Sequence, residues 1–353
     1  MNTSMIVYRL YDVADEINLD LAQALWTSRN KIASRLRLDR VSTKSIAFQN
    51  PPVSVELGSH ELEFNGKSYL TEIKARIFDI GVISLILRIQ FDEGVTEDEY
   101  VNMAITVNDM PDELLTEHLD GVLETIDQAC IKKRSSAFDE DFVVYYFQDA
   151  LPTWDLVPLL LKDRHPVSQQ TRQDTLANFF SYSDDICYLA WDSAVVYDST
   201  GSWDIPDLLE FANAQFLELR YYDNLLAKAI DSSYDELEEA NVTTRAHKDQ
   251  AYRKIRGRLM EIMADMSNMM GNVNNALQVT EDIFYSRIYT RYLSLLKASV
   301  WKDNIDYKLQ TIQRIYTLLS KEVESYRLER MGLISIALLT TILAANIVQL
   351  FLK

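Results

Sequence analysis

The segment Met331 to Leu352, MGLISIALLTTILAANIVQLFL, runs for 22 residues without a charge or a proline. As a helix rising about 1.5 Å per residue it reaches roughly 33 Å, close to the thickness of a bilayer's hydrocarbon layer. A helix packed in a water-soluble core normally keeps a polar stripe. The few polar side chains here, Thr340, Thr341, Asn346 and Gln349 among them, form none. The sequence therefore predicts one transmembrane helix bounded by Met331 and Leu352, with Gly332 its only glycine. Lys321, Arg327 and Arg330 precede it and Lys353 follows, so the positive-inside rule keeps the N-terminal body in the cytoplasm. The start, MNTSMIVYRLYDVADEI, has neither the basic-then-apolar order of a secretory leader nor the arginine content of a transit peptide. The expectation is a tail-anchored, single-pass protein of the bacterial inner membrane, with the mitochondrial inner membrane as the alternative.

Two helical runs lead into this segment. Ile255, Leu259, Ile262, Met266, Met269 and Val273 follow one another in steps of four and three, and Ile305, Leu309, Ile312, Tyr316, Leu319 and Val323 do so again. Sustained 4-3 spacing keeps an apolar seam facing a partner helix, within the chain or in a second copy. Inside the span, Ala337, Thr341 and Ala345 form a small-residue face that lets helices approach closely, and Asn346 can hydrogen-bond across such a contact. Membrane lipid, a second copy of the chain and a cytosolic protein are the expected partners. Methionines 260, 263, 266, 269 and 270 read as gap-filling core residues, with an adaptable binding groove as the alternative.

Charge divides the chain. Up to Ala246, 20 Lys and Arg stand against 43 Asp and Glu, a net −23; from His247 onward the balance is +5. An acidic body lacks the cationic footprint that phosphates require, so direct nucleic-acid binding is not expected. Cys130 and Cys187 are the only cysteines, which fits a reducing compartment, and the four histidines show no metal-ligand spacing.

The first half alternates between strand and helix patterns. SMIVYRLYDV reads as a strand, LDLAQALWTSRNKIASRLRL as an amphipathic helix, and KSIAFQ and VSVEL as extended chain. SYLTEIKARIFDI alternates around Tyr69, Thr71, Ile73 and Ala75, whereas GVISLILRIQF is apolar throughout and is expected as a central strand covered on both faces. Thr96 and Glu99 have the spacing of a capping box. A helix is expected over PDELLTEHLDGVLETIDQACIKK, a strand at FVVYYFQ, a helix around TRQDTLANFF, and a hairpin from ICYLAW and SAVVYD, with Pro206 in the first turn of the next helix. The fold class is α+β: a mixed α/β domain over residues 1–204, a helical coiled-coil region over 205–330 and the span over 331–352.

Asp184, Asp185, Asp192, Asp198 and Asp204 gather around the turn Ser199–Ser202 and are the candidates for a divalent-metal site. Their spacing matches no EF-hand loop, which favours turns and caps instead. No phosphate-binding loop, dinucleotide fingerprint, nucleophile elbow or kinase signature occurs, so neither catalysis nor a cofactor is expected.

The order of these elements, with KLQTIQRIYTLLSKEVESYRLERMGLISIALL running into a membrane span, resembles the family named for being required for meiotic nuclear division. That resemblance implies a membrane-anchored scaffold without assigned catalysis, with a mitochondrial branch that tethers ribosomes. An acidic α/β domain before long helices is also similar to CorA-type magnesium channels. Those need a second span and a Gly-Met-Asn motif, where this chain has Met270-Gly271-Asn272 far from its one span. The expected function is a scaffold or tether that oligomerises through its helices and recruits a partner to the membrane. An oligomeric channel and a metal-dependent enzyme are the alternatives.

Overall fold

The computed structural model describes residues 3–28, 32–36, 50–92, 94–107, 112–134, 138–183, 185–276 and 282–351. In chain order the elements are β1 Thr3–Asp12, β2 Ala14–Ile17, α1 Leu19–Ser28, β3 Ala33–Arg35, β4 Val53–Phe64, β5 Lys67–Ile77, β6 Val82–Phe91, α2 Glu97–Thr106, α3 Asp112–Ile126, β7 Cys130–Lys133, β8 Asp139–Phe147, α4 Val157–Leu161, α5 Gln169–Leu176, β9 Phe179–Ser181, β10 Asp185–Leu189, β11 Ser193–Asp198, α6 Asp204–Asn241, α7 Arg245–Ala276, α8 Ile283–Leu295 and α9 Ala298–Phe351. They form two compact units, Met1–Tyr221 with Asn272–Trp301, and Tyr222–Gly271 with Lys302–Lys353. The division passes through α6 and close to the start of α9.

In the first unit, nine strands make one sheet in the order β3-β4-β5-β6-β1-β8-β11-β10-β9. Its ladders are antiparallel except for β8 with β11, which run parallel. Successive side chains of a strand point to opposite faces, and both faces are covered. Met5 and Val7 of β1, Leu85 and Leu87 of β6, and Val143 and Tyr145 of β8 join Trp26 of α1, Tyr100 of α2, Val122 of α3 and Leu159 of α4 in one core. Ile6, Tyr8, Leu10, Ile86, Phe142 and Val144, on the other face, pack with Leu208, Ala212 and Leu217 of α6 and Ile288 and Tyr292 of α8. This burial on both sides explains the unbroken apolar run of β6, as expected for a central strand. β5 keeps its alternation, burying Tyr69, Thr71, Ile73 and Ala75.

Local signals act as the sequence predicts at several ends. Thr96 caps α2 by accepting a hydrogen bond from the Glu99 amide, and β10 pairs antiparallel with β11. Gly81, at φ +88°, ends the β5–β6 hairpin where a Cβ would lie 1.9 Å from the Ala14 carbonyl oxygen. Its own carbonyl accepts from the Val13 and Ala14 amides, which ties the hairpin to the β1–β2 corner. The helix expected around TRQDTLANFF ends at Leu176, and its Phe179 and Phe180 pair with β10 instead. Two further helix expectations are too long. α1 stops at Ser28, and Ala33–Arg35 pairs with Val53–Val55 as the outermost strand instead of continuing the helix. α3 stops at Ile126, and the CIKK that follows pairs with β2. In both places tertiary pairing overrides an apolar spacing that suits a helix. The KSIAFQ segment lies outside the described residues.

The second unit is a bundle built from the C-terminal part of α6, α7 and α9. Its core holds Tyr222 and Leu226 of α6, Ile255, Leu259 and Met266 of α7, and Ile305, Ile312, Ile315, Leu319 and Val323 of α9, all buried. Polar contacts join the same helices: Lys308 Nζ donates to Asp223 at 2.7 Å, and Arg258 pairs with Glu236.

Candidate functional site

From Asp204 to Leu219 every residue of α6 is buried, although six of them are polar: Asp204, Asp207, Glu210, Asn213, Gln215 and Glu218. A buried polar group is costly unless it is hydrogen-bonded, and a buried charge more so unless it is paired. Each has a hydrogen-bond or ion-pair partner on β5, just after β7, or on α8.

Arg76 of β5 reaches α6 from the sheet. Its Nη1 donates to Asp207 Oδ1 at 2.8 Å and to Glu210 Oε2. Two carboxylates thus share one guanidinium in a site where Arg76 is only 6 % exposed and Glu210 fully enclosed. Burial, reinforced by Asp207 and opposed by Arg76, pushes the Glu210 carboxyl up to about 7. Burial works against the charge on Arg76, but the two acids hold the guanidinium protonated above its ordinary range. Burial also lifts the Tyr8 phenol far up, with Glu210 and Asp207 adding to it.

A second arginine, Arg134, collects Asp12, Asp15 Oδ1 at 2.7 Å and Glu218 Oε1 at 3.2 Å, with its guanidinium 3.7 Å from the centre of the Tyr221 ring. The stacking uses the flat face of the ion while its edge serves the acids. Nearby on the chain, Arg220 pairs with Glu140, whose carboxyl burial pushes up to about 7 against the pull of that arginine.

The same stretch of α6 also meets three tyrosines of α8. Tyr285 donates to Asp204 Oδ2 at 3.2 Å, Tyr289 to Gln215 Oε1, and Tyr292 to Asn213 Oδ1 at 2.9 Å. Tyrosine suits this interface because its ring fills the core while its hydroxyl reaches a polar partner. Arg291 of α8 adds a 2.7 Å hydrogen bond to Asn178. Together these contacts fix the rotation and register of α6 between sheet and α8. Sequence reasoning missed them, because Arg76 occupies an outwardly ordinary place in a strand and the tyrosines look like surface residues of one more helix.

The acidic candidates do not converge. Asp184 lies outside the described residues. Asp185 and Asp198 are register partners across the β10–β11 hairpin. Asp198 Oδ1 accepts from the Thr200 amide at 2.8 Å and from its hydroxyl at 2.6 Å, which closes the turn. Asp192 lies 3.1 Å from Lys162 Nζ, and Asp204 accepts from Tyr285. Among the described residues no group of three or more His, Cys, Asp or Glu side chains is arranged to hold a metal ion.

The seams are engaged inside one chain. Ile255, Leu259 and Met266, and Ile305, Ile312, Leu319 and Val323, are buried, with Ile262, Leu309 and Tyr316 half-buried. The side chains of Met269 and Val273 lie outside the described ones. Beyond the bundle core the same α9 changes character. From Met331 to Ala345, including Gly332, Ala337 and Thr341, every residue is exposed. Among the described residues it is the one helix long and apolar enough to cross a membrane, and none of its most apolar window is buried. The side chains of Asn346 and Leu352 lie outside the described ones.

Residues 2–203 match the model of a family described as the N-terminal domain of the uncharacterized protein MJ0711. The chain belongs to this family. It is similar to the uncharacterized protein MJ0711 of Methanocaldococcus jannaschii, at 24 % identity over 196 residues, which are 54 % of this chain and 58 % of the relative. The chain thus matches a little over half the length of that relative. No solved structure matches. The family match stops one residue before α6 begins. Arg76 and Arg134 fall within the MJ0711 N-terminal domain, while the α6 acids Asp207, Glu210 and Glu218 that they meet fall beyond it.

Proposed function

We propose that this protein is a non-catalytic, membrane-anchored scaffold, whose α/β unit is held at a bilayer by α9 and recruits a protein partner there. One observation carries the reading. Over Ile305–Val323 α9 buries one face within the bundle, yet from Met331 to Ala345 the same helix is more apolar and buries nothing. An apolar surface of that length needs a non-aqueous surrounding, and its length suits a bilayer. Arg327 and Arg330 just before it support a cytoplasmic body. The element order that resembles the meiotic-division family supports a scaffold over an enzyme. Self-association belongs to the same proposal through the face of Ala337, Thr341 and Ala345, because the seam residues are occupied within the chain.

The test is alkaline carbonate extraction of membranes carrying the full chain or one lacking residues 331–353. The full chain should stay in the pellet and the shortened chain should move to the supernatant. A shortened chain that still pellets while remaining folded would overturn the reading. Crosslinking with mass spectrometry in the same membranes then reports self-association and the partner.

A further inference from the structure

Where α6 sits on the sheet, the acids outnumber the cation that holds them. Arg76 and Ser84 are register partners across β5 and β6, and Ser84 stands opposite Leu10 of β1, two residues along from Tyr8. Directly paired residues share a face of the sheet, so Arg76, Ser84 and Tyr8 lie together beneath Asp207 and Glu210. All five are buried, and Tyr8, Ser84 and Glu210 completely so. One guanidinium there serves two carboxylates, Asp207 at 2.8 Å and Glu210. Glu210 Oε1 and the Tyr8 hydroxyl make no hydrogen bond of their own among the described residues, and the Ser84 hydroxyl stands beside the Glu210 carboxyl.

The neighbouring cations are engaged elsewhere. Lys74 and Arg88 share that face, but Lys74 is 3.7 Å from Glu56, and Arg88 is 3.8 Å from Glu72 with its guanidinium 4.8 Å from the centre of the Trp203 ring. Asp79, at the β5–β6 turn, accepts from Asn50 and adds an acid. From α8, Tyr285, Tyr289 and Tyr292 direct their hydroxyls to Asp204, Gln215 and Asn213. A surplus charge in a closed site is removed by taking up a proton. A proton on Glu210 Oε1 leaves Arg76 facing one carboxylate, Asp207, and makes that oxygen a donor for the Ser84 hydroxyl.

We infer that Arg76, Asp207 and Glu210 form a proton-operated latch between α6 and the sheet: the folded chain holds one proton on Glu210 Oε1, and losing it as pH rises loosens the first turns of α6 from β5 and β6. The strands themselves stay in place, because Met5, Val7, Leu85 and Leu87 anchor β1 and β6 from the other face. With Glu210 held up to about 7 in the folded chain, the latch is shut in acid and is released as pH climbs to that value. It lies within the α/β unit and is independent of the membrane reading of α9.

The test is backbone hydrogen exchange of the full chain in detergent micelles over a pH series at constant salt, each rate divided by that of an unstructured peptide at the same pH. Exchange over residues 204–219 should rise by up to about tenfold per pH unit from about pH 5 to about pH 7, the limit for one proton, and level off above. Residues 97–106 of α2, on the other face, should not follow. Glu210→Gln should abolish the rise, whereas Glu140→Gln, at the other raised carboxyl, should keep it. In the Glu140→Gln chain the infrared band of a buried protonated carboxyl should fade as pH passes about 7, which reads the proton even where Glu210→Gln fails to fold. A flat response over 204–219, one that persists in Glu210→Gln, one that α2 shares, or an absent band overturns the latch.

Discussion

The first sixteen residues of α6 and the exposed stretch of α9 from Met331 to Ala345 invert the usual rule in opposite directions. The α6 stretch is buried on every side and carries six polar side chains, whereas the α9 stretch is exposed on every side and carries no charge. Hydropathy alone would place them the other way round. The α6 acids are inside because Arg76, Arg134 and the α8 tyrosines supply the partners that water would otherwise provide. The α9 stretch packs against nothing among the described residues, and by length and composition it is a candidate membrane-spanning helix. Burial is thus set by what surrounds a side chain, and polarity reports only which surrounding is needed.

The contrast can be broken most forcefully at Arg76. Replacing it with Met leaves Asp207 and Glu210 buried without their cation, which should cost about 3–5 kcal/mol in a chemical-denaturation measurement. Arg76→Lys, which keeps the charge but loses the forked geometry, should recover part of that loss. On the α9 side, Leu339→Arg places a charge near the middle of the span and should weaken insertion by about 2.5–3.5 kcal/mol, seen as a shift from membrane pellet to supernatant. The same substitution should leave the denaturation midpoint of the first unit unchanged, since Leu339 lies in an exposed stretch of the other unit.

A pH series sharpens the α6 side. Glu210 and Glu140 are held up to about 7 in the folded chain and return to about 4.3 on unfolding. Between those values the folded state binds more protons, so stability falls as pH rises. Their contribution is full below about pH 4 and lost as pH climbs through about 7, at no more than ~1.4 kcal/mol per pH unit for each group. Glu210→Gln should flatten its share of that slope; an unchanged slope would show that Glu210 is ionised throughout. The smallest effect is expected at Tyr292→Phe, which removes one hydroxyl from Asn213 and should cost about 0.5–1.5 kcal/mol.

Much of the sheet was legible in the sequence. The alternation of Tyr69, Thr71, Ile73 and Ala75 and the continuous apolar run of β6 both mark faces correctly, because side-chain direction in a strand has a fixed period of two. Thr96 announces α2 by its own hydroxyl. Helix ends were harder to read where no such local device acts: Ala33–Arg35 and Cys130–Lys133 become strands because β4 and β2 offer them ladders. The aspartates around Ser199–Ser202 invited a metal reading through closeness in sequence, but the hairpin and its turn send the described ones to different partners.

By itself the sequence determined that residues 331–352 are an uncharged stretch of membrane-spanning length, that both faces of β6 need cover, and that two helices carry 4-3 seams. These are local properties, written in length, period and polarity. Only the tertiary structure decided that the described core residues of α7 and α9 pack within the chain, that Arg76 and Arg134 meet α6, and that Asp249 of α7 meets Arg330 just before the exposed apolar stretch of α9. Such pairings join residues some eighty or more positions apart, and a charge carries no mark of which distant partner the fold will bring to it.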